Sequence, residues 1–342
     1  MHSKSIQLFG ILAVAAAALQ AQSGTGPVYW SNTTPDCSSL PQLFNQPVTI
    51  KNASGETLGY SCQVSGTFPW LAAGGTWHTY VRLAAPASAP IGVDYTFFNQ
   101  DGVTLSLDNT VNGGAVASGI DAAFALGPNQ PSEVELLGAP GESPDYPTTE
   151  TGTVYVKIDC PDAATCTHVT PQLLYSALPT YSWSLSVPIA WDNVVQTQES
   201  FVGIDNNGTD RVSFVVYNQN YNAATFNIYV YDTAGTLVAT GVTPTIAAFN
   251  SVTGEGGTYA ALLSDAFSEP LPAGPFKVLV AGGANYFTLE ALQITGPSAT
   301  SLQISTDAAP TLGTAGAITL RHGRSRMAGA PHPYPAPGAA QR

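Results

Sequence analysis

The chain has 342 residues, with 23 Asp and Glu against 10 Lys and Arg, a formal net charge of −13 and only 10% charged residues. All the acids lie between Asp36 and Asp307, where the only basic residues are Lys51, Arg82, Lys157, Arg211 and Lys277. Such a surface repels phosphate backbones and excludes nucleic acid as a partner. Low charge together with 33 Gly and 26 Pro excludes long exposed helices and points to strands and turns.

Residues 1–21 read as a cleavable signal peptide. Lys4 supplies the positive start, Ile6 to Leu19 an apolar stretch, and Leu19-Gln20-Ala21 a small-residue exit. The stretch is shorter than the roughly 20 residues that span a bilayer. No Cys follows the cut, which argues against a lipid anchor. No later run is apolar enough to cross a membrane. The expectation is a secreted protein, extracellular or periplasmic, with no transmembrane segment in the mature chain.

Residues 22–67 read as an extended lead-in with one hairpin, Val48–Lys51 and Leu58–Gln63 around the turn Asn52-Ala53-Ser54-Gly55. Two similar halves follow, 68–195 and 196–296. The first has strands Thr76–Leu83 and Gly92–Asn99, a turn at Gln100-Asp101-Gly102, then Val103–Leu107. The second has Asp210–Tyr217, Thr225–Tyr231, a turn at Thr233-Ala234-Gly235, then Thr236–Ala239. A glycine that accepts positive φ between apolar runs is a hairpin signal. Thr153–Ile158 and Val169–Tyr175 complete the first half. In the second, Thr245–Phe249 reads as a strand, Tyr259–Phe267 as a short helix, and Phe276–Val280 and Phe287–Ile294 as alternating strands with one buried face. The fold class expected is all-β: two antiparallel β-sandwich domains in tandem, Ig-like or jelly-roll-like. Residues 297–342, rich in Ser, Ala, Gly and Pro and carrying Arg321, Arg324 and Arg326 with no acid after Asp307, read as a disordered tail.

Four cysteines in an exported chain favour disulfides. Proximity in sequence selects Cys37–Cys62 and Cys160–Cys166 among three connectivities. Zinc is disfavoured by the spacings and by His168 being the only histidine nearby.

The opening Phe68-Pro-Trp-Leu-Ala-Ala-Gly-Gly-Thr-Trp-His-Thr-Tyr-Val-Arg-Leu83 and the hairpin Tyr95-Thr-Phe-Phe-Asn-Gln-Asp-Gly-Val-Thr-Leu-Ser-Leu107 resemble a group of uncharacterised secreted bacterial proteins. Those look like tandem β-sandwiches with an FPxFxxGGxWxT opening and an FxDxxGxPLxL hairpin. The likeness covers about Phe68 to Ile294 and departs from the pattern at Ala85-Pro86 and Asn99. It implies the fold and an exported location, and no activity.

Reaction motifs such as G-x-S-x-G, H-E-x-x-H and the phosphate-binding glycine loops are missing from the sequence. His78 and His168 read as strand or loop residues with local hydrogen bonds. Glu133 and Glu135, two apart on a strand, share a face and form a candidate carboxylate pair. Asp205, Asn207 and Asp210 form a candidate calcium loop that lacks the later glutamate of an EF-hand; no other cofactor is expected. Among the aromatics Trp70, Trp77, Trp183 and Trp191, the core is expected to take Trp77 and Trp191. Trp183 with Tyr181 is the candidate carbohydrate-binding pair. The function expected is non-catalytic: a structural, adhesive or interaction protein of the cell exterior, with a protein or glycan partner. The alternatives are a carbohydrate-binding protein and a secreted hydrolase whose carboxylates meet only in space.

Overall fold

The computed structural model describes residues 27–306, apart from 76, 144, 177–183, 193, 207–209, 251–252, 269 and 296–297. The signal peptide expected at 1–21 lies outside the described residues. The first half runs β1 (Val48–Lys51), β2 (Thr57–Gly74), β3 (His78–Ala84), β4 (Ile91–Asn99), β5 (Leu107–Val111), β6 (Ala117–Gly119), β7 (Asp121–Leu126), β8 (Pro131–Gly138) and β9 (Thr149–Cys160). One helical turn, α1 (Ala163–Cys166), then leads to β10 (Gln172–Ser176), β11 (Ser184–Pro188) and β12 (Ala190–Trp191). The second half runs β13 (Gln198–Asp205), β14 (Asp210–Asn218), β15 (Asn227–Tyr231), β16 (Leu237–Val242), β17 (Thr258–Leu262), α2 (Leu263–Ala266), β18 (Gly274–Ala281), β19 (Phe287–Thr295) and β20 (Ser298–Ser301).

The chain is all-β, with four antiparallel sheets among the described residues. The first has the order β1-β2-β9-β4-β7, with β12 also on β2, and the second β11-β10-β3-β8-β5-β6. The third is β13-β18-β15-β16 and the fourth β17-β14-β19-β20. The order β2-β9-β4 matches β13-β18-β15, and β11-β10-β3-β8 matches β20-β19-β14-β17. The two halves therefore share a chain path. One apolar core joins Phe68, Phe97 and Val156 of the first sheet to Val81, Val134 and Leu173 of the second. Another joins Phe201, Ile228 and Val278 to Phe214, Ala261 and Leu289. This packing is β-sandwich-like.

One turn device closes three hairpins. Asn52, Asn99 and Asp232 each accept two backbone N–H bonds through one side-chain oxygen, from residues two and four further on. The third residue after each is a glycine, Gly55, Gly102 or Gly235, with φ of 82°, 76° and 80°. An Asx side chain fixes the turn, and glycine takes the positive φ. Asn99 is thus the residue that caps its hairpin.

Both disulfides have the expected connectivity, Cys37–Cys62 and Cys160–Cys166. Cys62 and Cys160 face each other across β2 and β9, so the two bridges pin the same end of the first sheet. Disulfides belong to an oxidising compartment, extracellular or periplasmic. No helix among the described residues is long and apolar enough to cross a membrane.

Several expected elements shift. The residues assigned to a lead-in join the first sheet, because β2 runs unbroken through residue 67 and pairs with β9 from Cys62 onward. Thr104 makes only one bridge to Phe98, and the strand expected at 103–107 forms instead at 107–111, in the second sheet. Thr245–Phe249 forms no named strand; Ile246 bridges Ala224, and the Asn218 side-chain amide donates to the Ile246 and Ala247 carbonyl oxygens. Where a helix was expected over 259–267, Thr258–Leu262 is a strand on β14, and the helix shrinks to the turn at α2. The tail begins later than 297, since Ser298–Ser301 pair with β19 and Ser305 bridges Ser200 on β13.

Gly152 stands opposite Asn99 where β9 pairs with β4, and a Cβ there would lie 1.7 Å from the Phe98 carbonyl oxygen. Gly152→Ala should therefore destabilise the protein by about 1–3 kcal/mol or more. Gly127→Ala, whose Cβ would meet nothing closer than 3.5 Å, should leave thermal unfolding nearly unchanged. Equal melting temperatures for the two variants would contradict this packing.

Candidate functional site

The outward residues of β3 are His78, Tyr80 and Arg82, while Thr79, Val81 and Leu83 point into the core. On the neighbouring strand β8, Glu135 stands opposite Tyr80 and Glu133 opposite Arg82. The Arg82 Nε donates to Glu133 Oε2 at 2.5 Å, and the His78 Nδ1 lies 3.4 Å from Glu135 Oε1. The rings of His78 and Tyr80 stack at 6.5 Å with an interplanar angle of 11°, and the Arg82 guanidinium lies 5.8 Å from the Tyr80 ring centre. Burial, together with the Glu135 and Glu133 carboxylates, pushes the Tyr80 phenol up to about 12. Cross-strand pairs thus set an aromatic ring between a cation and a histidine on an open sheet face. The expectation that Glu133 and Glu135 share a face holds. Each is engaged by a basic side chain of β3 and stands as a partner in a surface ladder.

A second polar cluster lies in the seam between the halves. Asp192, just after β12, accepts hydrogen bonds on Oδ2 from Ser65 Oγ at 2.6 Å and from the Tyr155 hydroxyl at 3.1 Å. Thr67 Oγ1 donates to the hydroxyl of Tyr217, a residue of β14, at 3.3 Å. Phe249 packs edge-on against both tyrosines. Gly254 and Gly256 let backbone meet those rings, for a Cβ would come within 2.0 Å of Tyr155 and 2.4 Å of Tyr217. The Asp192 Oδ1 is buried without a hydrogen-bond partner among the described residues.

The other candidates from sequence are dispersed. Asp205 is buried at the end of β13, where it accepts from the Val212 N–H at 3.4 Å. Asp210 opens β14 and accepts from Asn206 Nδ2 at 2.8 Å. Asn207 lies outside the described residues, as do Tyr181 and Trp183. No group of three or more metal-ligating side chains gathers among the described residues. His168 is exposed and bonds the Ala164 carbonyl oxygen at 2.7 Å. Trp77 and Trp191 both pack partly buried against the first core, as expected, and Trp70 is buried in it.

Sequence reasoning missed Asp192, Glu199 and Glu290. Burial raises Asp192 to about 6, against the pull of its Ser65 and Tyr155 hydrogen bonds. Burial also raises Glu199 to about 7, although the Leu289 N–H donates to it at 2.6 Å. Glu290, on β19, is held well above the usual carboxylate range by burial and then by the charge of Glu199. A signal for such residues exists in the continuous apolar run of β14, which announces that both of its faces are covered.

Compared with protein-family models, with curated proteins and with solved structures, the chain matches none.

The raised carboxyls set a pH dependence of unusual sign. The folded chain holds protons on Asp192 and Glu199 at a pH where the unfolded chain, with ordinary values of 3.8 and 4.5, has lost them. Their contribution is present below about pH 4 and is lost as pH rises toward about 7. For Asp192 it is on the order of 3 kcal/mol at about 1.4 kcal/mol per pH unit. The melting temperature should fall between about pH 4 and 7, and Asp192→Asn should flatten part of that fall. A wild-type profile that rises over this window would contradict the assignment.

Proposed function

We propose that this is a secreted, non-catalytic protein of two tandem β-sandwiches with a structural, adhesive or interaction role, and that its contact surface is the outer face of β3 and β8. The observation that carries this reading is a difference between equivalent faces. In the second half, the matching face of β14, β17 and β19 carries Val215, Ala260 and Leu292, which pack with the first core. In the first half the same face carries His78, Tyr80, Arg82, Glu133 and Glu135 and stands open. A face that serves for docking in one repeat is thus free, ringed and charged in the other. Arg and Tyr at its centre are the residue types that dominate contact energies.

A glycan is the second reading, favoured by the Tyr80 ring set among carboxylates and a guanidinium. A sugar ring needs that mixture of apolar face and polar edge.

Binding of the purified protein to arrays of glycans and of extracellular proteins tests both readings. Tyr80→Ala and Arg82→Ala should each weaken a selective interaction about tenfold or more with little change in melting temperature. Glycan-only binding with that dependence selects the second reading. Binding indifferent to both substitutions moves the contact surface elsewhere.

A further inference from the structure

The seam between the halves is not filled along its whole length. A crevice of about 340 Å³ opens between the β11–β12 segment and the β19–β20 edge. Its walls are mostly apolar, with Val187 and Ile189 on one side and Leu292, Leu302 and Ile304 on the other. Among the described residues no lysine, arginine or histidine lines it. This is the size and character of a small-molecule site, an apolar concavity with few polar groups.

Glu290 is the one ionisable residue of the lining among the described residues. It is half-buried, and its carboxyl makes no hydrogen bond or ion pair among the described residues. The backbone beside it is already satisfied. The Leu289 N–H donates to Glu199 Oε2 at 2.6 Å, and the Ala291 carbonyl accepts from the Leu302 N–H at 2.8 Å. The Glu290 carboxyl is therefore the open polar group at this point of the strand. An unpartnered carboxyl in an apolar wall costs stability, and a neutral side chain would fold there more easily. Its position makes sense if a partner of opposite charge arrives from outside.

We propose that this crevice binds a small organic cation with an aliphatic body, an alkylammonium or alkylguanidinium, with its head on Glu290 and its body against Ile189, Leu292, Leu302 and Ile304. Charge favours this class at two ranges. Glu199 adds a second carboxyl beside Glu290, and the 23 acids of the chain raise the local concentration of cations around it. The site lies apart from the open face of β3 and does not depend on the reading given for that face.

Entry of the cation has a proton balance. The groups that face Glu290 are Glu199 from β13 and the Tyr175 phenol from β10, whose hydroxyl donates to the Trp70 carbonyl. In the free site, burial and the Glu199 charge favour the protonated form of Glu290. Bound, it is a carboxylate paired with the cation, and the proton goes to solvent. Affinity should therefore rise with pH.

Calorimetric titration of the full chain with hexylammonium chloride, against 1-hexanol and hexanoate as matched controls, tests the proposal. Saturable binding of hexylammonium alone is expected, tighter at about pH 8 than at about pH 6, with proton release visible in buffers of different ionisation enthalpy. Glu290→Gln should weaken it at least about tenfold, about 1.4 kcal/mol, without lowering the melting temperature. Glu199→Gln keeps the bond to Leu289 and removes the neighbouring charge, so it should shift the pH at which binding strengthens downward. Equal binding of hexanol, or full affinity in Glu290→Gln, overturns the proposal. So does binding seen only after Arg321→Ala, Arg324→Ala and Arg326→Ala are combined, which would make the chain's own tail the occupant.

Discussion

Much of this structure depends on β14 being buried on both faces. Val212, Phe214 and Val216 point into the core of the second half. Val215 packs with the core of the first half, and Tyr217 joins Tyr155, Phe98 and Phe249 in the seam. A strand apolar on both faces needs a cover on each, and the first half supplies the second cover. Burial at roughly 25 cal/mol per Å² rewards that contact without directing it. Direction comes from polar bonds that cross the seam, the Thr67 hydroxyl to the Tyr217 hydroxyl and the Thr258 N–H to the Gln100 carbonyl oxygen.

The edges of the sheets are treated with the same economy. β13 borders the third sheet, and its free side would invite another strand. Ser200 exchanges two backbone bonds with Ser305, and the Gln293 side-chain amide bonds both the N–H and the carbonyl of Ile204. One side chain thus stands in for a strand. On β2 a bulge at Pro69 and Trp70 breaks the register with β9. The Trp70 carbonyl so released accepts the Tyr175 hydroxyl from the second sheet. Proline at a bulge removes no ladder bond, which is why Phe-Pro-Trp is tolerated inside a long strand.

The features legible in the sequence were those set by neighbours along the chain. The disulfide pairs followed from short separations, and the hairpins at Gly55, Gly102 and Gly235 followed from turn chemistry. The strands around Phe97, Phe214 and Leu289 followed from alternation. Tyr259–Phe267 failed because Ala260, Ala261, Leu262 and Leu263 suit a helix, and only pairing with Ser213–Tyr217 makes a strand of the first part. The lead-in failed for a related reason. The hairpin strand Leu58–Gln63 was read from its turn, but its unbroken run to Gly74 at the centre of the first sheet is fixed by pairing with β9. The open face of β3 and β8 was half visible: the Glu133 and Glu135 alternation gave the face, while the partners on β3 came only with the register.

Glu290 shows where reading by period reaches its limit. Within Phe287-Thr-Leu-Glu-Ala-Leu292, alternation assigns Phe287, Leu289 and Ala291 to the core and Glu290 to the other face. That assignment is correct, and the usual inference that the other face meets water is not. On β3 the equivalent face does meet water, and its polar residues pair with one another. On β14 and β19 it meets the first half, so a glutamate of the same pattern sits in an apolar seam where burial favours its protonated form. The two repeats share a path and an alternation and differ in what covers one face. That difference, not a motif, separates an open polar ladder from a secluded acid.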